Sequence, residues 1–130
     1  MKILFVYPEI IRGYNCFPGL YYEGIASLSA VLKGANHGVR LTHLTREIPE
    51  KEFIRKIEDF LPDLIGFSAL THTYPYVIKY AALAKKHFPI PIICGGIHPT
   101  IMPEEVIQNK DIDYICVGEG EAPLLELADR

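Results

Sequence analysis

The chain has 130 residues, which is the usual size of a single domain with one hydrophobic core. Hydrophobic residues make up 49% of it and charged residues 22%, as in an ordinary globular protein, and the net charge of −3 gives no overall reason to expect a nucleic acid or an anionic membrane as the partner. Its apolar runs are all shorter than the roughly 20 residues of a membrane span, and the first of them is too short for a signal peptide.

Strand and helix patterns alternate in the first half of the chain. The apolar run 2–7 predicts a first strand, and a long loop over 8–19 follows it. Apolar residues at helical spacing then predict a helix that ends at about Lys33. The alternating run 39–44 is typical of an edge or half-buried strand, and the next helix is expected over 49–60.

The second half continues this alternation. Strands are expected at 63–68, 90–94 and 113–117. Helices are expected over 74–87, from near Pro103, and from near Glu121 to Arg130. Since the last helix has no C-cap signal, the chain is expected to be the N-terminal part of a longer protein, with residues 1–130 forming one domain.

This order of elements predicts an α/β fold with a doubly wound, five-stranded parallel sheet. The weak alternation of the second strand favours an edge position for it. The expected strand order is therefore 2-1-3-4-5, as in flavodoxin-like and Rossmann-like folds.

In such a sheet, ligands bind beyond the carboxyl ends of the strands. The loops 8–19, 68–75, 95–100 and 118–123 are expected there, and they are rich in Gly, Pro, Thr or Ser. Because ordinary α/β loops have similar compositions, the composition of these four loops does not identify a ligand. Their shared position at one edge of the sheet favours a binding site there. GEGEAP (118–123) fails as a dinucleotide fingerprint because Pro123 replaces the third glycine, and its acids are expected to cap a helix.

The cysteines and the standard catalytic motifs give no reactive site. Cys16, Cys94 and Cys116 form no CxxC pair, which argues against a zinc site or a disulfide framework and fits a cytoplasmic location. Cys94 and Cys116 end apolar runs and are expected to be small buried residues. No GxSxG or HExxH motif occurs, so no catalytic residue and no metal ligand is predicted.

The loop motifs resemble those of cobalamin-binding domains. SAL (68–70) is followed by GG (95–96), 27 residues after Ser68, as in the SxL…GG signature of these domains. FPGLYYEGIASLSAVLK (17–33) resembles their first helix. GGIHPTIMPEEVI (95–107) with DYICVGEGE (113–121) is similar to the N-terminal cobalamin-binding domains of cobalamin-dependent radical SAM enzymes, and the resemblance covers essentially the whole chain.

The resemblance implies that this chain binds cobalamin and does no chemistry alone, because it lacks the CxxxCxxC loop of a radical SAM domain. The full protein would continue into that domain, which would hold a [4Fe-4S] cluster and S-adenosylmethionine. It would transfer a methyl group to an unreactive carbon or phosphorus, or assist another radical rearrangement. Two alternatives stay open: a free-standing corrinoid carrier or sensor, and a flavodoxin-like domain for another nucleotide-bearing ligand.

The loops and the resemblance together give the expected cofactor-binding residues. These are Pro8, Ile10, Tyr14, Gly19, Ser68, Ala69, Leu70, Thr71, Gly95, Gly96, His98, Pro99, Thr100, Gly118, Glu119 and Gly120. Gly95 and Gly96 would let the backbone approach the nucleotide tail. Ser68 would hydrogen-bond the base of the tail or else satisfy a turn, and Leu70 would pack on the base or belong to the core.

Two histidine-related features concern the corrin. The loop after the first strand lacks the DxHxxG motif of mutases and methionine synthases and has no histidine up to Leu20. The resemblance therefore implies a base-off cobalamin without a histidine lower ligand, and Ile10, Ile11 and Tyr14 would cover that face. His98 is expected near the corrin edge or, alternatively, as a hydrogen-bonded loop histidine.

Overall fold

A computed structural model of the protein describes residues 1–10 and 22–130. The strands are β1 (Lys2–Pro8), β2 (Gly38–Leu44), β3 (Leu64–Ser68), β4 (Ile92–Gly95) and β5 (Tyr114–Ile115). The helices are α1 (Glu23–Gly34), α2 (Glu50–Phe60), α3 (Tyr74–His87), α4 (Ile97–Ile101), α5 (Pro103–Ile107) and α6 (Glu121–Asp129). No helix within the described ranges is long and apolar enough to cross a membrane.

The strands form one parallel sheet in the order β2-β1-β3-β4-β5, which confirms the predicted order and the edge position of β2. Its register decides which residues are neighbours. Phe5 of β1 lies opposite Gly66 of β3, and Ser68 at the end of β3 lies opposite Gly95 at the end of β4. The SAL and GG motifs therefore meet at the carboxyl edge of the sheet.

Helices cover both faces of the sheet because successive strand residues point to opposite sides. Leu4, Val6 and Ile65 belong to a core that also contains buried side chains of α2 and α3. Ile3, Phe5 and Leu64 belong to a second core, formed with α1 and α6. The second core is the smaller of the two, and the cavity described below lies on its side.

Two elements differ from the sequence prediction. Residues 97–101, expected as loop, form the short helix α4, because Gly96 turns the chain at φ +106° and the His98 N–H then donates to the carbonyl oxygen of Ala69 at 3.0 Å. The last strand was expected over 113–117 but is shorter. Its partner β4 ends at Gly95, so no ladder is available to the residues after Cys116.

Candidate functional site

A cavity of about 220 Å³ lies between the sheet and the helices α1 and α6. Its floor is formed by Phe5 of β1, Gly66 of β3 and Ile93 of β4. Leu28 of α1 and Leu124 of α6 form opposite walls. The cavity extends to the carboxyl edge of the sheet, where predicted and newly identified residues lie together.

Six of the lining residues are glycines, and their missing side chains make the space. They are Gly24, Gly66, Gly95, Gly96, Gly118 and Gly120. A Cβ atom on Gly66 would lie 3.1 Å from the ring of Phe5, so a side chain there would fill the floor. A Cβ atom on Gly95 would meet only the Cβ of Cys116, at 3.6 Å. The fold therefore has room for a Cβ atom at Gly95, whereas the cavity would lose volume.

Gly96 has a different role, because the backbone itself requires glycine there. Its φ of +106° and ψ of −164° lie in a region that is essentially restricted to glycine. A Cβ atom would lie 2.9 Å from the carbonyl oxygen of Ala69 and 3.0 Å from its nitrogen. The Ala69 N–H in turn donates to the Gly95 oxygen at 2.9 Å. These contacts join the end of β3 to the turn after β4.

Ser68 supplies a hydroxyl group to this cavity. The residue is 9% exposed, and its Oγ lies 3.2 Å from the place that a Gly96 Cβ would occupy. Within the described residues no hydrogen bond engages this hydroxyl, so the alternative of a turn-satisfying serine finds no partner there. A half-enclosed hydroxyl with a donor and two acceptor positions is thus available to a ligand.

Thr100 connects the two loops beside the cavity. Its hydroxyl donates to the Gly96 carbonyl oxygen at 2.8 Å and accepts the Gly118 N–H at 3.0 Å. Gly118 has a φ of +80°. Thr100 does not line the cavity, but it holds the β5–α6 loop against the turn after β4.

The charges beside the cavity are negative. Glu119 and Glu121 line it, and neither lysine nor arginine is among the described lining residues. The backbone N–H groups at the start of α6 and the Ser27 hydroxyl, 2.9 Å away, lower the pKa of the Glu121 carboxyl. This supports the predicted capping role of an acid in GEGEAP. Burial, and next the charge of Glu121, raise the pKa of the Cys116 thiol, which keeps the thiol neutral.

The predicted site residues separate into three groups. The cavity is lined by Ser68, Gly95, Gly96, Gly118, Glu119 and Gly120. The residues that do not line it are Pro8, Ile10, Ala69, Leu70 and Thr71, in strand ends and loops, and His98, Pro99 and Thr100, in helix α4. Ile10 and Ala69 belong to the core on the opposite face of the sheet. Tyr14 and Gly19, and Ile11 with them, lie outside the described residues.

His98 belongs to α4, and its side chain lies against α3 and α5. It is 4% exposed, and its ring packs against that of Tyr74 with a centroid distance of 4.3 Å and an angle of 34° between the ring planes. Its Nδ1 is 3.3 Å from the Thr71 hydroxyl, and its Nε2 is 3.5 Å from a Glu105 carboxylate oxygen without a hydrogen bond. This position agrees with a packed loop histidine, while contact with the corrin edge stays a prediction.

The floor and walls of the cavity were not predicted from the sequence. Phe5, Ile25, Leu28, Ile93 and Leu124 have the pattern of ordinary core residues. Gly66 carried the one available signal, because a glycine inside an apolar strand often marks the close approach of another group.

The profile of the B12-binding domain family matches residues 20–128 of this chain. The chain belongs to this family. The resemblance stated from the SAL, GG and GEGE motifs is thereby confirmed.

Curated relatives of this B12-binding domain are larger proteins. The chain is 30% identical over 132 residues to the anaerobic magnesium-protoporphyrin IX monomethyl ester cyclase of Rubrivivax gelatinosus, covering 98% of this chain and 24% of that protein. It is 28% identical over 126 residues to the hopanoid C-3 methylase of Methylococcus capsulatus, covering 94% of this chain and 24% of that protein. The chain thus spans about a quarter of the length of these relatives.

Solved structures share the fold of this B12-binding domain. The radical S-adenosylmethionine methyltransferase TsrM from Kitasatospora setae, solved with cobalamin and a [4Fe-4S] cluster bound, superposes with a TM-score of 0.84 at 20% identity over 98% of this chain and 24% of that chain. A cobalamin-binding protein from Desulfitobacterium hafniense DCB-2 gives 0.72 at 18% identity, covering 99% of this chain and 57% of that chain.

Proposed function

We propose that this domain binds cobalamin with the nucleotide tail in the cavity between α1 and α6 and with the base of that tail released from cobalt. The observation that carries the proposal is a glycine-lined cavity with an unengaged Ser68 hydroxyl at the carboxyl edge of the sheet. An apolar cavity of about 150 Å³ can hold a benzene ring. A volume of about 220 Å³ therefore suits a fused bicyclic base such as benzimidazole.

The size of the cavity supports the proposed release of the base from cobalt. A corrin ring is far too wide for about 220 Å³, so in the proposed complex it would stay outside the cavity. A base inside the cavity is then separated from the metal. The loop after β1 offers no histidine as a replacement ligand, since residues 8–20 contain none. We infer that the lower face of cobalt is free of a histidine from this loop.

The residues of this chain bind and orient the cofactor. Gly66 and Gly95 leave room for the base, and Ser68 offers it a hydrogen bond. Thr100 holds two of the surrounding loops together. When bound, cobalamin supplies a cobalt centre that can carry a methyl group.

The proposed reaction requires a further domain besides this one. The chain has no CxxxCxxC motif, and it matches about a quarter of relatives that include a methylase and a cyclase. We propose that it serves as the cofactor domain beside a radical SAM domain that holds a [4Fe-4S] cluster and S-adenosylmethionine, in a methyltransferase or a related enzyme. A free-standing corrinoid carrier is the second candidate, since the D. hafniense cobalamin-binding protein shares this fold and the chain covers 57% of it.

The test is a titration with hydroxocobalamin of the wild-type chain, Gly95→Val and Gly34→Ala. The Gly95→Val substitution places a side chain into the cavity at a position where the fold has room, whereas a Cβ on Gly34 meets nothing within 4 Å. We expect saturable binding with a base-off visible spectrum in the wild type and in Gly34→Ala, and affinity at least about ten-fold lower in Gly95→Val. Absence of binding in the folded wild-type chain, or equal affinity in Gly95→Val, would contradict the proposal.

A further inference from the structure

The walls of the cavity are apolar. The side chains of Phe5, Ile25, Leu28, Ile93 and Leu124 line it together with the glycines. Three of these residues, Phe5, Ile25 and Leu124, are at most 5% exposed. A ligand group that enters here exchanges water for hydrocarbon on most of its surface.

Most polar atoms near this lining are already engaged. The Gly95 carbonyl accepts the Ala69 N–H at 2.9 Å, and the Gly96 carbonyl accepts the Thr100 hydroxyl at 2.8 Å. The Glu121 carboxylate accepts the Ser27 hydroxyl at 2.9 Å, and Glu119 lies in the exposed part of the chain. On the described lining, the hydroxyl groups of Ser68 and Tyr22 are therefore the neutral oxygen donors that no hydrogen bond engages.

We infer that this cavity selects the chemical class of the lower base: benzimidazoles are preferred over purines. The inference rests on the proposed function, because it assumes that the tail enters this cavity. Natural corrinoids carry different bases on otherwise similar tails. A benzimidazole released from cobalt has one ring nitrogen that needs a hydrogen bond, and Ser68 offers one. The rest of its surface is hydrocarbon, which the apolar walls accept.

Adenine places more polar atoms into the same walls. Besides the nitrogen released from cobalt, it carries further ring nitrogens and an exocyclic amine. Each of them loses water on entry, and the Ser68 and Tyr22 hydroxyls are too few to serve all of them. Since Ser27 donates to one oxygen of the Glu121 carboxylate, the second oxygen of that group is the acceptor left for the amine. A site that leaves buried polar groups of its ligand unpaired discriminates strongly against that ligand. We therefore expect the adenine cobamide to bind at least about ten-fold more weakly than the benzimidazole cobamide.

The experiment compares three cobamides on the wild-type chain: hydroxocobalamin, its adenine analogue pseudocobalamin, and cobinamide, which has no nucleotide tail. Each dissociation constant is corrected by the base-off fraction of the free cobamide, measured by its own acid titration. This correction is needed because adenine leaves cobalt more easily than dimethylbenzimidazole does. We expect hydroxocobalamin to bind at least about ten-fold more tightly than either of the others.

Leu28 provides a variant pair that changes only the polarity of a wall. Leu28→Gln adds an amide that can pair with adenine, so the preference for hydroxocobalamin over pseudocobalamin should fall several-fold. Leu28→Met keeps the wall apolar at similar volume and should keep the preference. An unchanged preference in folded Leu28→Gln would contradict the role of the apolar lining.

The outcomes separate this inference from the proposed function. Equal corrected affinities for hydroxocobalamin and pseudocobalamin, both well above that for cobinamide, would refute the base selectivity and leave the tail in the cavity. Equal affinity for cobinamide and hydroxocobalamin would refute the placement of the tail and, with it, this inference. No binding of any cobamide to the folded chain would refute both.

Discussion

Substitution by alanine should destabilise the fold at Gly96 but leave its stability nearly unchanged at the adjacent Gly95. Gly96→Ala forces an alanine into a φ of +106°, which costs about 1–3 kcal/mol. The added Cβ would also lie within 2.9 Å of the Ala69 carbonyl oxygen. That oxygen accepts the His98 N–H at 3.0 Å, so it cannot easily move away. We expect the free energy of unfolding to fall by about 3 kcal/mol or more.

Gly95→Ala should leave the fold nearly unchanged. The added Cβ lies 3.6 Å from the Cβ of Cys116, an ordinary contact, and no positive φ is involved. The free energy of unfolding should stay within about 1 kcal/mol of the wild type. The methyl group does occupy part of the cavity, so affinity for hydroxocobalamin should drop several-fold.

Urea unfolding followed by circular dichroism measures both stabilities, and a spectroscopic titration measures the affinity of Gly95→Ala. A Gly96→Ala variant within about 1 kcal/mol of the wild type would refute the argument from backbone strain. Equal destabilisation of the two variants would show that the two glycines do not have separate roles.

Three further predictions concern single side chains. Thr100→Val removes the hydroxyl that joins two loops, so hydroxocobalamin should bind several-fold more weakly while Thr100→Ser binds as the wild type does; equal affinities in titrations of both variants would exclude this bracing role. Burial raises the pKa of the Cys94 thiol from 9.0 to about 12, so its contribution to stability is complete below pH 9 and is lost as the pH rises toward 12. We therefore expect urea unfolding to show a smaller decrease in the free energy of unfolding between about pH 8 and about pH 11 in Cys94→Ala than in the wild type. An equal decrease in both proteins would contradict the raised pKa of the Cys94 thiol. Tyr80→Phe removes two hydrogen bonds to the Ile48 backbone, at 2.9 and 3.3 Å, on the face of the sheet opposite the cavity. It should lower the free energy of unfolding by about 1–3 kcal/mol without changing cobalamin affinity, and a change in affinity would show that the two faces are coupled.

Most of the fold was predictable because its signals are local. Helix α3 begins at Tyr74 and ends at His87, as its apolar spacing and terminal lysines indicated. The weak alternation of β2 correctly predicted an edge strand. Helix α4 was not predictable in this way, because it depends on the φ of Gly96 and on a hydrogen bond to Ala69, which are properties of the folded chain.

The candidate site was predictable where it is built from loop motifs. Ser68 and the glycines of GG and GEGE stood out by residue type at the ends of strands. The floor of the cavity was not predictable, because Phe5 and Gly66 become part of one surface only through the strand register that pairs them. His98 shows the converse limit: its place in a rim motif could be seen in the sequence, but its contact with the Tyr74 ring follows from the turn at Gly96.

The most direct test of the central claim is a crystal structure of the chain with hydroxocobalamin. We expect electron density for the dimethylbenzimidazole base inside the cavity, between Gly66 and Leu124 and beside the Ser68 hydroxyl, with the corrin outside. Density for a base still bonded to cobalt, or for a tail lying outside the cavity, would contradict it.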